Sequence, residues 1–322
     1  RNTRITDQDG TGHARDRVPY LLLALNRIFK VVNHHWGKTM LLPDDFQFSQ
    51  SSLQDYNDCA RRFELKYIRR LRWPAPVTEP QLEHERHMRR GELFHKMIHQ
   101  HVSGVPADAI TTTIDDSDLS MWWQSYLASP FNATASTDTP LPPQRYPEVV
   151  LSAPLGGYRL LAKYDLLAVN PGEKAVIVDW KTSTRRPNET RLAERVQTLV
   201  YRYLLVEAGA YFNGGKLIAP EQVEMVYWFT AEPDDPIYIG YDAATHQRVG
   251  EQLEALIHEI AGRTTFDLTS DTRRCRFCGY RSLCERGISA GTLDEMDSLE
   301  DDYLDDINAI DFDFEQVAEV EF

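Results

Sequence analysis

The sequence contains no apolar run approaching the ~18 residues that a membrane-spanning helix requires. The apolar stretch Tyr20–Ala24 is too short for a secretory signal core, and no small-residue cleavage site follows it. These absences point to a soluble, cytoplasmic protein with no membrane partner. No Gly-x-x-x-x-Gly-Lys-Ser/Thr pattern is present, which excludes a P-loop motor in this chain. Cysteine is scarce, four in 322 residues, and the four are not placed as a small disulfide framework would need. Basic residues are missing altogether from Asp294 to Glu321, where thirteen acids fall. Those thirteen account for nearly all of the net charge of −14. The body is close to neutral and carries basic clusters at Arg61–Arg72, Arg86–Arg90 and Arg273–Arg281, a pattern compatible with nucleic-acid binding.

The chain is long enough for one large domain or two ordinary ones, and 42 % apolar residues can fill a core. Met40 opens a stretch that reads as a natural start, so residues 1–39 are expected to be an N-terminal extension. Residues 40–291 are expected to form the folded domain, and 292–322 an acidic tail too polar to bury itself. Leu53, Tyr56, Ala60, Phe63 and Tyr67 recur at helical spacing, predicting one helix over Ser49–Tyr67 with Ser51 as its N-cap. Further helices are expected over Gly91–Val102, Leu119–Leu127, Thr190–Ala208 and Asp242–Gly262. Strands are expected over Tyr158–Val169, Lys174–Trp180 and Val223–Thr230, with Asp108–Tyr146 otherwise mostly loop. Helices flanking a mixed sheet make the fold class α/β.

The chemistry concentrates on the central hairpin. Its turn, Asn170-Pro171-Gly172-Glu173, centres near residue 172, so Asp165 and Asp179 fall opposite one another on antiparallel strands. Two carboxylates so close repel unless something neutralises them, and a hard divalent cation such as Mg²⁺ or Mn²⁺ does so. Lys181, two residues after Asp179, projects from the same face. Such a set can bind a metal and an attacking water for phosphodiester hydrolysis. The plainer alternative is an ordinary cross-strand ion pair between Asp165 and Lys181, with Asp179 exposed. Cys275, Cys278 and Cys284 in CRFCGYRSLC, with the distant Cys59, suit either tetrahedral Zn²⁺ or an iron–sulfur cluster.

The run IVDWKTS at Ile177–Ser183, with Asp165 fourteen residues before Asp179, resembles the PD-(D/E)xK nuclease superfamily and most of all its RecB-type branch. SSLQDYNDCARRFELKY resembles the first helix of that branch, Gly91-Glu92-Leu93-Phe94-His95 its Gly-x-x-x-His element, and Gln197-Thr198-Leu199-Val200-Tyr201 its Gln-x-x-x-Tyr helix. The resemblance spans Phe48 to Gly287 and implies a restriction-endonuclease-like core. It implies Asp165, Asp179, His95 and the Trp180 carbonyl as metal ligands and Lys181 as the residue that orients water and stabilises phosphate charge. Gln197 and Tyr201 would support the site or touch DNA, and Glu148 would lie near it. The cysteine spacing resembles the iron–sulfur members of the branch, AddB-like domains and CRISPR-associated exonucleases. That favours [4Fe–4S] over Zn²⁺ and implies a clamp joining the N- and C-terminal parts. The implied activity is a DNA nuclease, most of all an exonuclease in repair, recombination or CRISPR-type processing. A helicase or another protein partner is expected on the acidic tail. Rival readings are a non-catalytic DNA-binding or assembly subunit that keeps the fold, and an electron-transfer protein supported by the cluster alone.

Overall fold

The computed structural model describes residues 42–71, 79–132, 134, 139–183 and 186–291. The expected extension (1–39) and acidic tail (292–322) lie outside the described residues. The described strands are β1 (Gln47–Ser49), β2 (Gln144–Leu155), β3 (Tyr158–Asn170), β4 (Lys174–Lys181), β5 (Val223–Phe229) and β6 (Ile237–Gly240). The principal helices are α1 (Gln50–Asp58), α2 (Glu79–Val102), α3 (Ser117–Ala128), α4 (Val196–Ala208) and α5 (Ala243–Ala261). All six strands form one mixed sheet, antiparallel at β2–β3, β3–β4 and β5–β6 and parallel at β1–β3 and β4–β5. Each face carries its own apolar core. Leu53, Tyr164, Ile177, Leu204, Tyr227 and Leu253 join α1, α4 and α5 to one face. Phe94, Trp123, Tyr126, Val178, Trp180 and Trp228 join α2 and α3 to the other. The α/β reading with helices on both faces of a mixed sheet is therefore correct.

β2 follows one edge of β3 for nearly its whole length, so β1 and β4 share the other edge. β1 pairs Arg159–Leu161, and β4 pairs Leu166–Asn170. Residues 162–165 fall in the fork between them. The side-chain alternation also slips there. Leu160, Ala162 and Tyr164 point to the same core as Leu167 and Val169, while Leu166 and Ala168 point to the opposite one. β2 makes the matching slip at Glu148, whose φ of +57° is left-handed. Glu148 and Asp165 are both skipped in an otherwise continuous ladder. A paired distortion of this kind re-aims side chains, as bulges do.

Several sequence expectations need correcting. The first helix is capped by Ser49, not Ser51, through a reciprocal bond with Ser52. It breaks at Cys59, whose extended backbone (φ −163°, ψ 108°) separates α1 from the turn Ala60–Phe63. The second helix starts at Glu79, well before Gly91. The helix expected at Thr190–Ala208 is two, Glu189–Glu194 and α4, because Arg195 is extended. β2 is a twelve-residue strand whose first three residues fall in the stretch expected as loop and whose remainder had no expected element. The basic clusters are largely neutralised locally: Arg62 and Lys66 by Asp55, Arg69 by Glu64, Arg90 by Asp116 and Asp118, and Arg273 and Arg274 by Asp271. No helix among the described residues is long and apolar enough to cross a membrane.

The break at Arg195 is secured by Thr198, fully buried, whose hydroxyl donates to Leu192 O at 2.5 Å and meets the Tyr227 hydroxyl at 2.6 Å. Thr198→Val takes the partner from the buried Tyr227 hydroxyl and leaves Leu192 O with the Arg195 N–H alone. It is expected to cost about 1–3 kcal/mol in urea denaturation, with little change in the dependence on denaturant.

Candidate functional site

β3 and β4 pair in the register expected from the turn, Leu166 against Val178 and Asn170 against Lys174. The ladder stops one residue short of Asp165 and Asp179. In place of a strand partner, the Trp180 N–H donates to the Asp165 carboxylate, at 3.2 Å from Oδ2. Asp165 therefore leaves the regular ladder and its side chain caps the end of it. The same oxygen lies 3.3 Å from Nδ1 of His95 on α2. His95 stands one turn after Gly91, which is buried in that helix. The fork lets groups from both helical layers converge: His95 from one, Gln197 and Tyr201 of α4 from the other.

Asp179 and Lys181 share one face of β4, only 2 % and 5 % exposed, with Lys181 Nζ 2.9 Å from Asp179 Oδ2. Gln197, in the first turn of α4, spans the pair. Its Nε2 donates to Asp179 Oδ1 at 2.9 Å, and its Oε1 accepts from Lys181 Nζ at 2.9 Å. The amide orientation is fixed by chemistry, since only its oxygen can face the ammonium. Lys181 also lies over the ring of Tyr227 on β5, 5.7 Å from its centre. The ordinary ion pair between Asp165 and Lys181 with an exposed Asp179 is thus not what forms, because Asp179 is the more deeply buried carboxylate. Tyr201 donates to Lys163 O at 2.6 Å and accepts from Gln50 Nε2 at 3.4 Å. Glu148 pairs with Lys163 across the β2–β3 ladder.

Electrostatics separate the two carboxylates. Burial pushes both upward. For Asp165 the nearby His95, then Lys181 and the Trp180 amide, outweigh it and hold the group below the usual range. For Asp179 burial prevails over Lys181, and the charge on Asp165 adds to it, so its affinity for a proton is raised. His95 is raised: burial opposes its charged form, but Asp165 and then Asp179 more than compensate. Tyr227 is pushed up to about 12 by burial and the charge on Asp179. Burial is the first cause of the raised proton affinity of Asp179, and the negative charge on Asp165 adds to it. The donor set, two carboxylates and an imidazole beside the Trp180 backbone, fits a hard divalent ion. Among the described residues, however, no three His, Cys, Asp or Glu side chains stand ready as a ligand set. Here Lys181 and Gln197 occupy the oxygens of Asp179, so a cation would have to take their place.

The cysteines meet in a second location. Cys59, Cys275, Cys278 and Cys284, all half-buried, line one pocket that opens to solvent beside Arg62, Arg274, Arg281 and Arg286. Burial pushes the Cys278 thiol up to about 11, and the Cys284 thiol up as well, each with contributions from neighbouring cysteines. The chain ends they occupy are joined without any ligand: Arg274 bonds Asp58, Arg61 N donates to Asp267 O at 3.0 Å, and Tyr280 Oη donates to Leu71 O at 2.8 Å.

The roles of Gln50 and Tyr164 were not visible in the sequence, since each is defined by a partner more than thirty residues away. His101, near His95 in sequence, is instead buried against Tyr126 at 3.2 Å.

A family model described as the PD-(D/E)XK nuclease superfamily matches residues 47–285. Among solved structures, the chain is similar to a candidate exonuclease from Eubacterium rectale at 12 % identity and a TM-score of 0.45, covering 79 % of this chain and 93 % of that one. It is also similar to the protein SSO0001 at 14 % identity and a TM-score of 0.35, covering 83 % and 95 %. No curated protein matches.

Because the folded pKa of His95 is raised, its pairing with Asp165 stabilises the metal-free protein fully below the ordinary histidine range, about pH 6.5, and loses that contribution as pH rises through the folded value. His95→Gln is accordingly expected to lower the melting temperature most at about pH 5–6, with the gap to the parent closing toward about pH 8, in melts run with a chelator.

Proposed function

Since this chain belongs to the PD-(D/E)XK nuclease superfamily, we propose that it is a metal-dependent DNA nuclease whose centre is Asp165, Asp179 and Lys181. The observation that carries the reading is the buried Lys181 ammonium held 2.9 Å from Asp179, with Asp165 beside them at the fork of the sheet. Members of this superfamily typically use Mg²⁺ or Mn²⁺. Asp165, Asp179, His95 and the Trp180 carbonyl would hold such an ion, which when bound polarises the scissile phosphate and lowers the pKa of water. Lys181 stabilises negative charge as it develops on the phosphate. Gln197 bridges Asp179 and Lys181 and holds the ammonium beside the carboxylate. The RecB-type resemblance of Ser51–Tyr67, Gly91–His95 and Gln197–Tyr201 supports an exonuclease acting in repair, recombination or CRISPR-type processing. The acidic stretch from Asp294, with Phe312, Phe314 and Phe322 as anchors, supports a docked protein partner such as a helicase.

The parent protein is expected to degrade end-labelled DNA only with added Mg²⁺ or Mn²⁺. Asp179→Asn and Lys181→Gln should each lower the rate by at least about two orders of magnitude while keeping the circular dichroism spectrum. Cleavage at the parental rate in either variant would defeat the assignment, and an inactive but DNA-binding parent would point to the non-catalytic subunit. Circular single strands, which offer no end, should survive if the enzyme is an exonuclease.

For the cysteine pocket the same reading assigns a [4Fe–4S] cluster, with Zn²⁺ as the alternative. Its support is four thiols around one opening, lined by arginines that suit the net negative charge of a thiolate-bound cluster. Anaerobically purified protein should be brown and contain iron and acid-labile sulfide in stoichiometric amounts, and Cys278→Ser should lose both. Because Arg274–Asp58 and Tyr280–Leu71 join the same segments, that variant should stay folded. Stoichiometric zinc without iron would replace the cluster by a zinc site.

A further inference from the structure

The edge of β3 at the fork needs partners. Between Leu161, where the β1 pairing stops, and Leu166, where the β4 pairing starts, no strand among the described residues covers that edge. Backbone groups buried there must be satisfied by something else. Lys163 O is taken by the Tyr201 hydroxyl at 2.6 Å. The tie is returned by the next residue, for Tyr164 Oη donates to Tyr201 O at 2.8 Å, with the two rings 4.7 Å apart. Gln50, the first residue of α1, donates to the Tyr201 hydroxyl from the third side. α4 thus grips β3 at residues 163 and 164, the two positions immediately before Asp165. Asp165 is where the alternation slips and the ladder ends, so its own strand does least to hold it.

We propose that Tyr201 and Tyr164, with Gln50, form a brace that positions the Asp165 carboxylate, and that Tyr201 does not contact nucleic acid. The functional consequence rests on the nuclease reading, whereas the brace itself does not. Burial argues against a DNA contact: Tyr164 is fully enclosed and Tyr201 is 4 % exposed, leaving no ring face on which a base could stack. Burial also pushes both phenols well above their usual range, so each remains a donor over the whole working pH range. Tyr201 is in this view a positioning residue, acting through the backbone of β3.

The Trp180 amide reports the result directly, because its N–H is bonded to Asp165 Oδ2. Tyr201→Phe, Tyr164→Phe and Gln50→Ala would be compared with the parent in the full chain, well below the melting range. Site-resolved amide exchange is expected to quicken at Trp180 by about fivefold to tenfold in Tyr201→Phe, the scale of one lost buried hydrogen bond, while Val178 and Val226 keep the parental rate. Mn²⁺ measured alone by calorimetry should bind about tenfold more weakly, as when a group supporting a metal ligand is removed. DNA affinity measured in chelator should not change. Gln50→Ala should show the same pattern at smaller size, and with Tyr164→Phe it carries the test if Tyr201→Phe does not fold. Parental exchange at Trp180 in all three variants would overturn the brace, as would a loss of DNA affinity with exchange and Mn²⁺ binding unchanged. A parent that binds no Mn²⁺, with Trp180 exchange still responding, would uphold the brace and defeat the metal-dependent reading instead.

Discussion

β3 has one edge to give to two neighbours. β2 occupies the other edge from end to end, so β1 and β4 must divide what remains, and they run in opposite directions along it. A gap between them follows from this connectivity. In an open α/β sheet such a divergence makes a crevice where side chains from different elements can meet. Here the crevice is walled by the buried ends of β3 and β4 and roofed from both helical layers. Every side chain of the candidate site reaches it for that reason: Asp165 from the slipped residue of β3, Asp179 and Lys181 from β4, His95 from α2, Gln197 and Tyr201 from α4.

Placing two carboxylates in such a crevice costs stability, and the fold answers with different partners for each. Asp165 keeps its charge through His95 and a backbone amide. Asp179 is held by Lys181 and the Gln197 amide, yet burial still raises its proton affinity. The arrangement is satisfied but not relaxed. A buried ion pair of this kind is weak evidence for a stabilising role. The bridging amide matters because it is neutral. A carboxylate at position 197 would add a third negative charge, whereas glutamine serves the cation with its oxygen and the anion with its nitrogen.

The central hairpin was legible in the sequence because its information is local. A four-residue turn fixes the register, period two fixes the face, and the apolar triplet Val176–Val178 fixes the burial of β4. What failed is equally physical. β1 has three residues, too few for any period, and β6 has four. β2 was obscured because its alternation slips at Glu148 and because a Ser/Thr/Pro-rich stretch precedes it. The extended residues Cys59 and Arg195 interrupt helices whose apolar spacing continues across the break, so the pattern reads as unbroken. The basic clusters looked freer than they are because acids such as Asp55 and Asp116 pair with them only once the helices form and pack. The braced tyrosines belong to this class too, since a hydroxyl bonded to the carbonyl of a residue 38 positions away leaves no trace in spacing.

The break at Cys59 gives α1 two defined ends. Gln50 at the first touches Tyr201, and Cys59 caps the last, so nine residues join the brace of the crevice to the cysteine pocket over about 12 Å. The ties at the far end do not all act on α1. Tyr280–Leu71 holds the chain beyond the helix, while Arg274–Asp58 holds its final turn. A ligand gripping Cys59 would add a covalent anchor to that same turn. The helix is short, closed by its own capping box and packed on the core through Leu53 and Tyr56. Gln50 touches Tyr201, whose hydroxyl holds the β3 backbone two residues before Asp165. The pocket and the crevice draw on residues far apart in sequence, but α1 has one end at each.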